Sequence, residues 1–199
     1  MPTQAPSARQ AALLEAAYRY VLQHGVGDLS LRPLAAAVGS SPRVLLYLFG
    51  SKDGLVRALL ARARSAELAL LDGVRGPAAE QPAGLSAAAY SVWAWLAAEE
   101  HRPLLILWVE AYGRSLVDPG GPWAGFAAAT VSDWLAVLAT AQPTAVRDTE
   151  AGRAARTAVL AVLRGSLLDL LATGDVQRTT AAVGQAITPT IDACADCGG

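Results

Sequence analysis

The sequence is poor in the residues that most enzyme and metal sites require. It contains two histidines, two cysteines and one methionine among 199 residues. Neither His24 nor His101 has a glutamate three residues before it, so a di-iron bundle of the Glu-x-x-His type is not expected. A G-x-S-x-G element, a Gly-rich phosphate loop and an H-E-x-x-H pair are also missing. We therefore predict no catalytic residues, no metal site and no cofactor.

The two cysteines, Cys194 and Cys197, form a C-x-x-C pair close to the end of the sequence. Two thiols supply half of a tetrahedral zinc site, which a second subunit would have to complete. The alternative is a frayed tail whose thiols have no role.

Long apolar segments are scarce too. The longest strongly apolar run is PLLILWV at 103–109, and Glu110 ends it. A helix that spans a bilayer needs about 20 apolar residues. The opening residues, MPTQAPSARQ, contain no apolar stretch of the secretory type. We expect a soluble, cytoplasmic protein without a membrane partner.

Period-two alternation is absent, whereas Ala and Leu recur at helical spacing, which predicts an all-α fold. Serines before apolar runs mark helix starts and glycines mark helix ends. These signals predict a helix over 7–24 and helices that Ser30, Ser41 and Ser51 cap, ending near residues 38, 48 and 71. A loop over 74–84 follows. The remaining helices, making about nine in all, are predicted at 85–100, 103–117, 122–140, 144–173 and 175–192.

Charge is distributed unevenly along the chain. Residues 1–64 contain eight basic and three acidic side chains, a net charge of +5, while the remainder carries −6. A basic first part on an acidic second part favours an anionic partner for the first. Chance is the alternative explanation for so modest an excess.

The short helix after Ser41 gives this basic part a specific interpretation. A helix of about eight residues, a turn at Gly39 and a second short helix form a helix-turn-helix, whose second helix enters the major groove with its N-terminal residues. Arg43 can donate two hydrogen bonds to guanine, and Val44 offers apolar surface to thymine. Lys52, at the start of the next helix, can contact phosphate. The candidate DNA-binding residues are Ser30, Arg32, Ser41, Pro42, Arg43, Val44, Tyr47 and Lys52.

Each of these side chains also has a purely structural interpretation. Tyr47 would then pack in the core of the head, and Arg43 would be a solvated surface charge. Arg32 would cap a helix or pair with Asp28. Ser41 is expected to cap its helix under either interpretation.

A set of spaced residues over about 9–60 forms a specific pattern: Arg9, Leu14, Ala16, Ala17, Gly25, Leu29, Ser30, Leu31, Arg32, Leu34, Ala35, Val38, Gly39, Ser41, Phe49, Ser51, Lys52 and Leu55. In this pattern the chain resembles the TetR family of bacterial repressors. Two departures are visible: the tyrosine is Tyr47, one place later than usual, and Leu48 replaces a common histidine. The shifted tyrosine is similar to an actinobacterial subset of the family.

The resemblance implies a DNA-binding head and an effector-binding body, which we place at 1–52 and 53–199. All five tryptophans lie between 93 and 134. We expect a small apolar or aromatic effector there. The alternative is that these aromatic residues, at helical spacing, belong to an ordinary core. The candidate effector-binding residues are Trp93, Trp108, Tyr112, Phe126 and Trp134. The candidates to orient a ligand are Glu110, Asp133, His101 and Arg102.

We further expect a homodimer built by the helices at 144–173 and 175–192. Residues 170–175, LLATGD, resemble the family's junction between its last two helices. Small residues such as Gly165 and Gly184 suit an interface, and so do the apolar residues at helical spacing, Val159, Leu160, Leu163, Leu167 and Leu171. The alternative is that these leucines pack only within their own subunit. The overall hypothesis is a ligand-responsive repressor on a near-palindromic operator. The alternative is a helical small-molecule binder or enzyme with a vestigial head.

Overall fold

The computed structural model describes the backbone of residues 7–74 and 84–195, and the side chains of 7–69 and 84–187. These residues form ten α-helices and one short 3-10 helix, without a strand among them. The all-α prediction is confirmed. The helices are α1 Ala8–His24, α2 Leu31–Ala37, α3 Pro42–Phe49, α4 Lys52–Val74, α5 Leu85–Leu96, α6 Arg102–Val117, α7 Phe126–Thr140, α8 Thr144–Arg147, α9 Glu150–Thr173 and α10 Val176–Ala195.

Side-chain caps explain the starts of α1 and α3. The Ser7 hydroxyl accepts the Gln10 N–H at 3.2 Å, and the Ser41 hydroxyl accepts the Val44 N–H at 3.3 Å. Ser30 also precedes its helix, but its side chain makes no capping hydrogen bond. The third residue of α2 is Pro33, which lacks the N–H that a cap often binds. Ser30 therefore holds the predicted N-cap position without the side-chain hydrogen bond.

Several predicted boundaries in the second half of the chain are wrong. The helix expected at 85–100 ends at Leu96 and is followed by the 3-10 helix Glu99–His101. The helix expected from 122 begins at Phe126. The helix expected over 144–173 is interrupted after Arg147, because Thr149 caps a new helix by accepting the Gly152 N–H at 3.0 Å. Most of the loop expected at 74–84 lies outside the described residues.

The chain divides into two compact units. The first comprises Met1–Ala66 and Pro103–Ala128, and the second comprises Glu67–Arg102 and Ala129–Gly199. The core of the first unit contains Ala17, Val21, Leu34, Leu45 and Leu55, each at most 1% exposed. The boundary that we place between residues 52 and 53 divides the DNA-binding head from the effector-binding body by function, and it does not coincide with the limits of the two compact units. It stays a prediction.

In the second unit, α9 packs along α10, and α5 packs against both. Val159, Leu160, Leu163 and Leu167 are buried within the protomer. These four side chains therefore belong to the subunit's own core, and the exposed face of α9 is a different one. Its exposed members are Thr157, Ala161, Gly165, Leu168 and Ala172. Among the described helices, none has the length and apolarity needed to cross a membrane.

Candidate nucleic-acid interface

The turn between α2 and α3 is short and closed by backbone hydrogen bonds. Gly39 N–H donates to Ala36 O at 3.3 Å, and Ser40 N–H donates to Ala35 O at 2.8 Å. Helix α3 then starts at Pro42, whose missing N–H is not needed in a first turn. This arrangement of two short helices is the helix-turn-helix that the sequence predicts.

Helix α3 is fixed by its inner face and by its end. Leu45 is fully buried. At the C-terminal end, the Gln10 side-chain amide donates to the Leu48 carbonyl at 2.9 Å, so α1 satisfies a carbonyl group that has no partner within α3. Sequence analysis missed Gln10, because a single glutamine on an amphipathic helix carries no distinctive signal.

The outer face of α3 is polar and open. Arg43 is exposed, and Tyr47, one turn later, is 85% exposed. Residues four apart lie on one face of a helix, so these two side chains project together. An exposure this large contradicts the interpretation of Tyr47 as a core residue.

The candidate cations are available for a ligand. Arg32, Arg43 and Lys52 are exposed, and none of them makes an ion pair with another residue in the described ranges. The pairing considered for Arg32 is wrong, because Asp28 Oδ1 lies 3.8 Å from Arg114 Nη2 instead.

The remaining candidates lie near the starts of α2, α3 and α4. Ser30 and Ser41 are exposed, and Pro42 and Val44 are half-buried. Lys52 is the first residue of α4, where Ser51 Oγ accepts the Gly54 N–H at 2.9 Å. The positive end of the helix dipole and the lysine side chain thus occur at the same helix terminus, which suits an anion.

The candidate effector residues are distributed over both units. Trp108, Tyr112 and Phe126 lie in the first, and Trp93 and Trp134 lie in the second. All but Tyr112 are buried. In the second unit, Trp93 Nε1–H donates to Thr180 Oγ1 at 2.9 Å, and Trp134 Nε1–H donates to Glu67 Oε1 at 2.5 Å. An effector pocket built from the five residues stays a prediction.

Three residues considered for orienting a ligand have other contacts. Glu110 accepts two backbone N–H groups from the turn after α1. The Arg102 guanidinium donates to Leu171 O at 3.0 Å, near the end of α9. The ring of His101 stacks on Trp95, with ring centres 4.4 Å apart.

Comparison with known families identifies the first part of the chain. Residues 13–59 match the family described as bacterial regulatory proteins, tetR family. This range contains α2, α3 and all eight candidate DNA-binding residues. None of the curated proteins searched matches the chain.

Solved structures match nearly the whole chain. A structure of the multidrug binding protein EbrR with imidazole is 27% identical, with a TM-score of 0.68 over 92% of this chain and 89% of that one. EbrR with proflavin is 25% identical, with a TM-score of 0.66 over 92% and 99%. A TetR transcription regulator from Haloarcula marismortui is 16% identical, with a TM-score of 0.70 over 93% and 97%, and supports the fold alone.

Proposed function

Because the chain belongs to the TetR family of bacterial regulatory proteins, we propose that it is a ligand-responsive transcriptional repressor. It binds a near-palindromic operator as a homodimer and leaves the DNA when a small apolar or aromatic effector binds to its body. The observation that carries the DNA-binding part is the outer face of α3, where Arg43 and the 85% exposed Tyr47 project together.

The candidate side chains divide into those that contact base edges and those that contact the phosphate backbone of the DNA. Arg43, in the first turn of α3, reaches a guanine edge, and the half-buried Val44 contributes apolar surface beside it. Tyr47, Lys52 and Ser41 bind phosphate oxygens, which position the head without reading sequence. Arg32 supplements either group from α2.

A dimer gives the head enough contact for tight binding. One eight-residue helix reads only a few base pairs, whereas two heads reach successive major grooves roughly 34–36 Å apart. The exposed small residues of α9 allow a partner helix to approach closely, and Leu168, 51% exposed, adds apolar area. These features support a two-fold interface through α9 and α10.

The effector class is proposed from the aromatic side chains of the body, which comprises residues 53–199. Trp93, Trp108, Tyr112, Phe126 and Trp134 provide flat apolar surface, which suits a planar aromatic compound. EbrR, which shares 25–27% of its residues with this chain in two solved complexes, was crystallised with imidazole and with proflavin. Proflavin is therefore a reasonable first compound to try.

The proposal is tested by selecting duplexes from a random pool with the full-length protein. We expect enrichment of a near-palindromic sequence, and release of that duplex by one or more aromatic compounds that raise the Tm in a thermal-shift screen that includes proflavin. A protein that enriches no sequence while binding such compounds would instead support the helical small-molecule binder.

A further inference from the structure

We propose that Glu110 is a positioning residue for DNA reading, because it latches helix α6 to the turn between α1 and α2. We call the pair of hydrogen bonds from Val26 and Gly27 to Glu110 the latch. The inference rests on the proposed function for its consequence at the operator, while the latch itself is a feature of the first unit and can be tested without DNA.

The latch is a carboxylate bound by two successive backbone amides. Val26 N–H donates to Glu110 Oε2 at 2.9 Å, and Gly27 N–H donates to Glu110 Oε1 at 2.7 Å. Hydrogen bonds to an ionised acceptor are about twice as strong as neutral ones. Glu110 lies 84 positions after Val26 and 83 positions after Gly27 in the sequence, and it thereby holds the turn that leads from α1 to α2.

The turn is shaped to receive this carboxylate. A Cβ atom on Gly27 would overlap Glu110 Oε1 and would lie 2.6 Å from Arg114 Nη2. Arg114 Nη2 is also 3.8 Å from Asp28 Oδ1. A side chain at position 27 would require the ends of both α6 side chains to shift, so glycine suits the latch as it stands.

The turn also transmits its position to the reading helices. The side chains of Val26 and Leu29 are buried, at 1% and 4% exposure. Helix α2 starts at Leu31, directly after this anchored segment, and packs against α3. A close-packed core shifts as a body rather than bending locally, so displacement of the turn displaces α2 and α3.

Helix α6 carries two of the five predicted effector residues, Trp108 and Tyr112, on the side opposite to Glu110. Trp108 and Tyr112 are in ring contact, with centres 5.0 Å apart. Each is two residues from Glu110, and at 3.6 residues per turn this places Glu110 about 160° away around the helix. An effector that moves the aromatic face therefore moves the latch as well.

The first experiment measures amide hydrogen exchange of Val26 and Gly27 in the full-length protein. Glu110→Ala is expected to lower the protection of these two amides about tenfold or more, and Glu110→Gln, with one acceptor oxygen, to lower it less. Glu99→Ala is the matched control, because it removes an exposed carboxylate of the same charge. Protection that is unchanged in Glu110→Ala would overturn the latch.

The second experiment compares the affinity of each variant for the selected operator and for a scrambled duplex. We expect Glu110→Ala to raise the operator Kd about tenfold and the scrambled-duplex Kd less than about twofold, since base reading requires an exact position and phosphate binding does not. Gly27→Ala, which displaces the carboxylate without removing it, is expected to act in the same direction. Glu99→Ala is expected to leave both values unchanged.

A purely structural role predicts another pattern. If Glu110→Ala lowers the Tm but binds the operator normally well below that Tm, Glu110 contributes only to stability and the positioning role is refuted. If the wild type enriches no duplex, the proposed function and the positioning role fail together, and amide exchange still decides whether the latch exists.

Discussion

Arg62 of α4 binds the carboxylate of Glu15 of α1 with both prongs of its guanidinium, and its central carbon lies 4.7 Å from the centre of the Tyr18 ring. The hydrogen bond from Arg62 lowers the pKa of Glu15 below its ordinary value, and burial opposes this shift. The pair joins the first helix of the head to the helix that continues into the body.

This pair predicts a pH-dependent contribution to stability. The folded pKa of Glu15 is lowered, so the contribution is present above the ordinary value of 4.5 and is lost as pH falls through the folded value. The pair is partly exposed, and we expect about 0.2–1 kcal/mol. The stability difference between wild type and Glu15→Gln in urea unfolding should therefore shrink from about pH 6 to about pH 3. A difference that is constant over this range would contradict the assignment.

Arg43→Ala and Lys52→Ala distinguish base reading from phosphate binding. Arg43→Ala should cost about 1–3 kcal/mol at one operator position and relax the base preference there. Lys52→Ala should weaken all duplexes alike and lower the salt slope by about one. Fluorescence anisotropy with a panel of single-substitution operators at several salt concentrations measures both. If both variants bind the operator as the wild type does, the outer face of α3 does not read DNA as described.

The junction between α8 and α9 predicts a position that tolerates no side chain. A Cβ atom on Gly152 would overlap the backbone carbonyl of Val146, which cannot move aside as a flexible side chain can. Gly152→Ala should destabilise the protein by about 1–3 kcal/mol, as overpacking does in cores. Gly113→Ala on α6, where a Cβ meets nothing within 4 Å, is the control and should stabilise by up to about 1 kcal/mol. Equal Tm values for the two variants would refute the close approach.

Gly184 tests the dimer through α10. A Cβ atom on Gly184 meets nothing within 4 Å in the protomer, so Gly184→Arg fits a single subunit but not a closely packed partner. We expect sedimentation of this variant to show a folded monomer or an aggregate instead of a dimer, and we expect tight operator binding to be lost. Gly113→Arg, equally open in the protomer, should remain dimeric. A wild type that is monomeric at micromolar concentration and still binds a palindrome tightly would refute the dimer.

The sequence predicted the head well because its signals are local. Each capping hydroxyl accepts a hydrogen bond from a backbone N–H three residues later, as Ser7, Ser41 and Ser51 do. Pro42 marks the first turn of α3. The break at Thr149 escaped prediction, since neither proline nor glycine separates Arg147 from Glu150. The one sequence signal for a new cap was Thr149 followed three residues later by Gly152. The close approach of Gly152 to the Val146 carbonyl is visible only in the three-dimensional structure.

Long-range contacts were the part that sequence analysis missed. Sequence analysis offers Glu110 for ligand orientation because few charged residues lie near the aromatic positions. Its partners are the backbone amides of Val26 and Gly27. Because almost every residue type has a backbone N–H, the sequence does not show which amides a carboxylate binds. The two glycines around Val26 were the one available hint, and they also read as an ordinary helix stop.

The most direct test of the central claim is the ratio of affinities for the selected palindrome and a scrambled duplex of equal length at one salt concentration. The account predicts that the wild type binds the palindrome about 10³-fold or more tightly, and that Arg43→Ala with Glu110→Ala reduces this ratio sharply while the affinity for the scrambled duplex hardly changes. Equal wild-type affinities for the two duplexes would contradict the account.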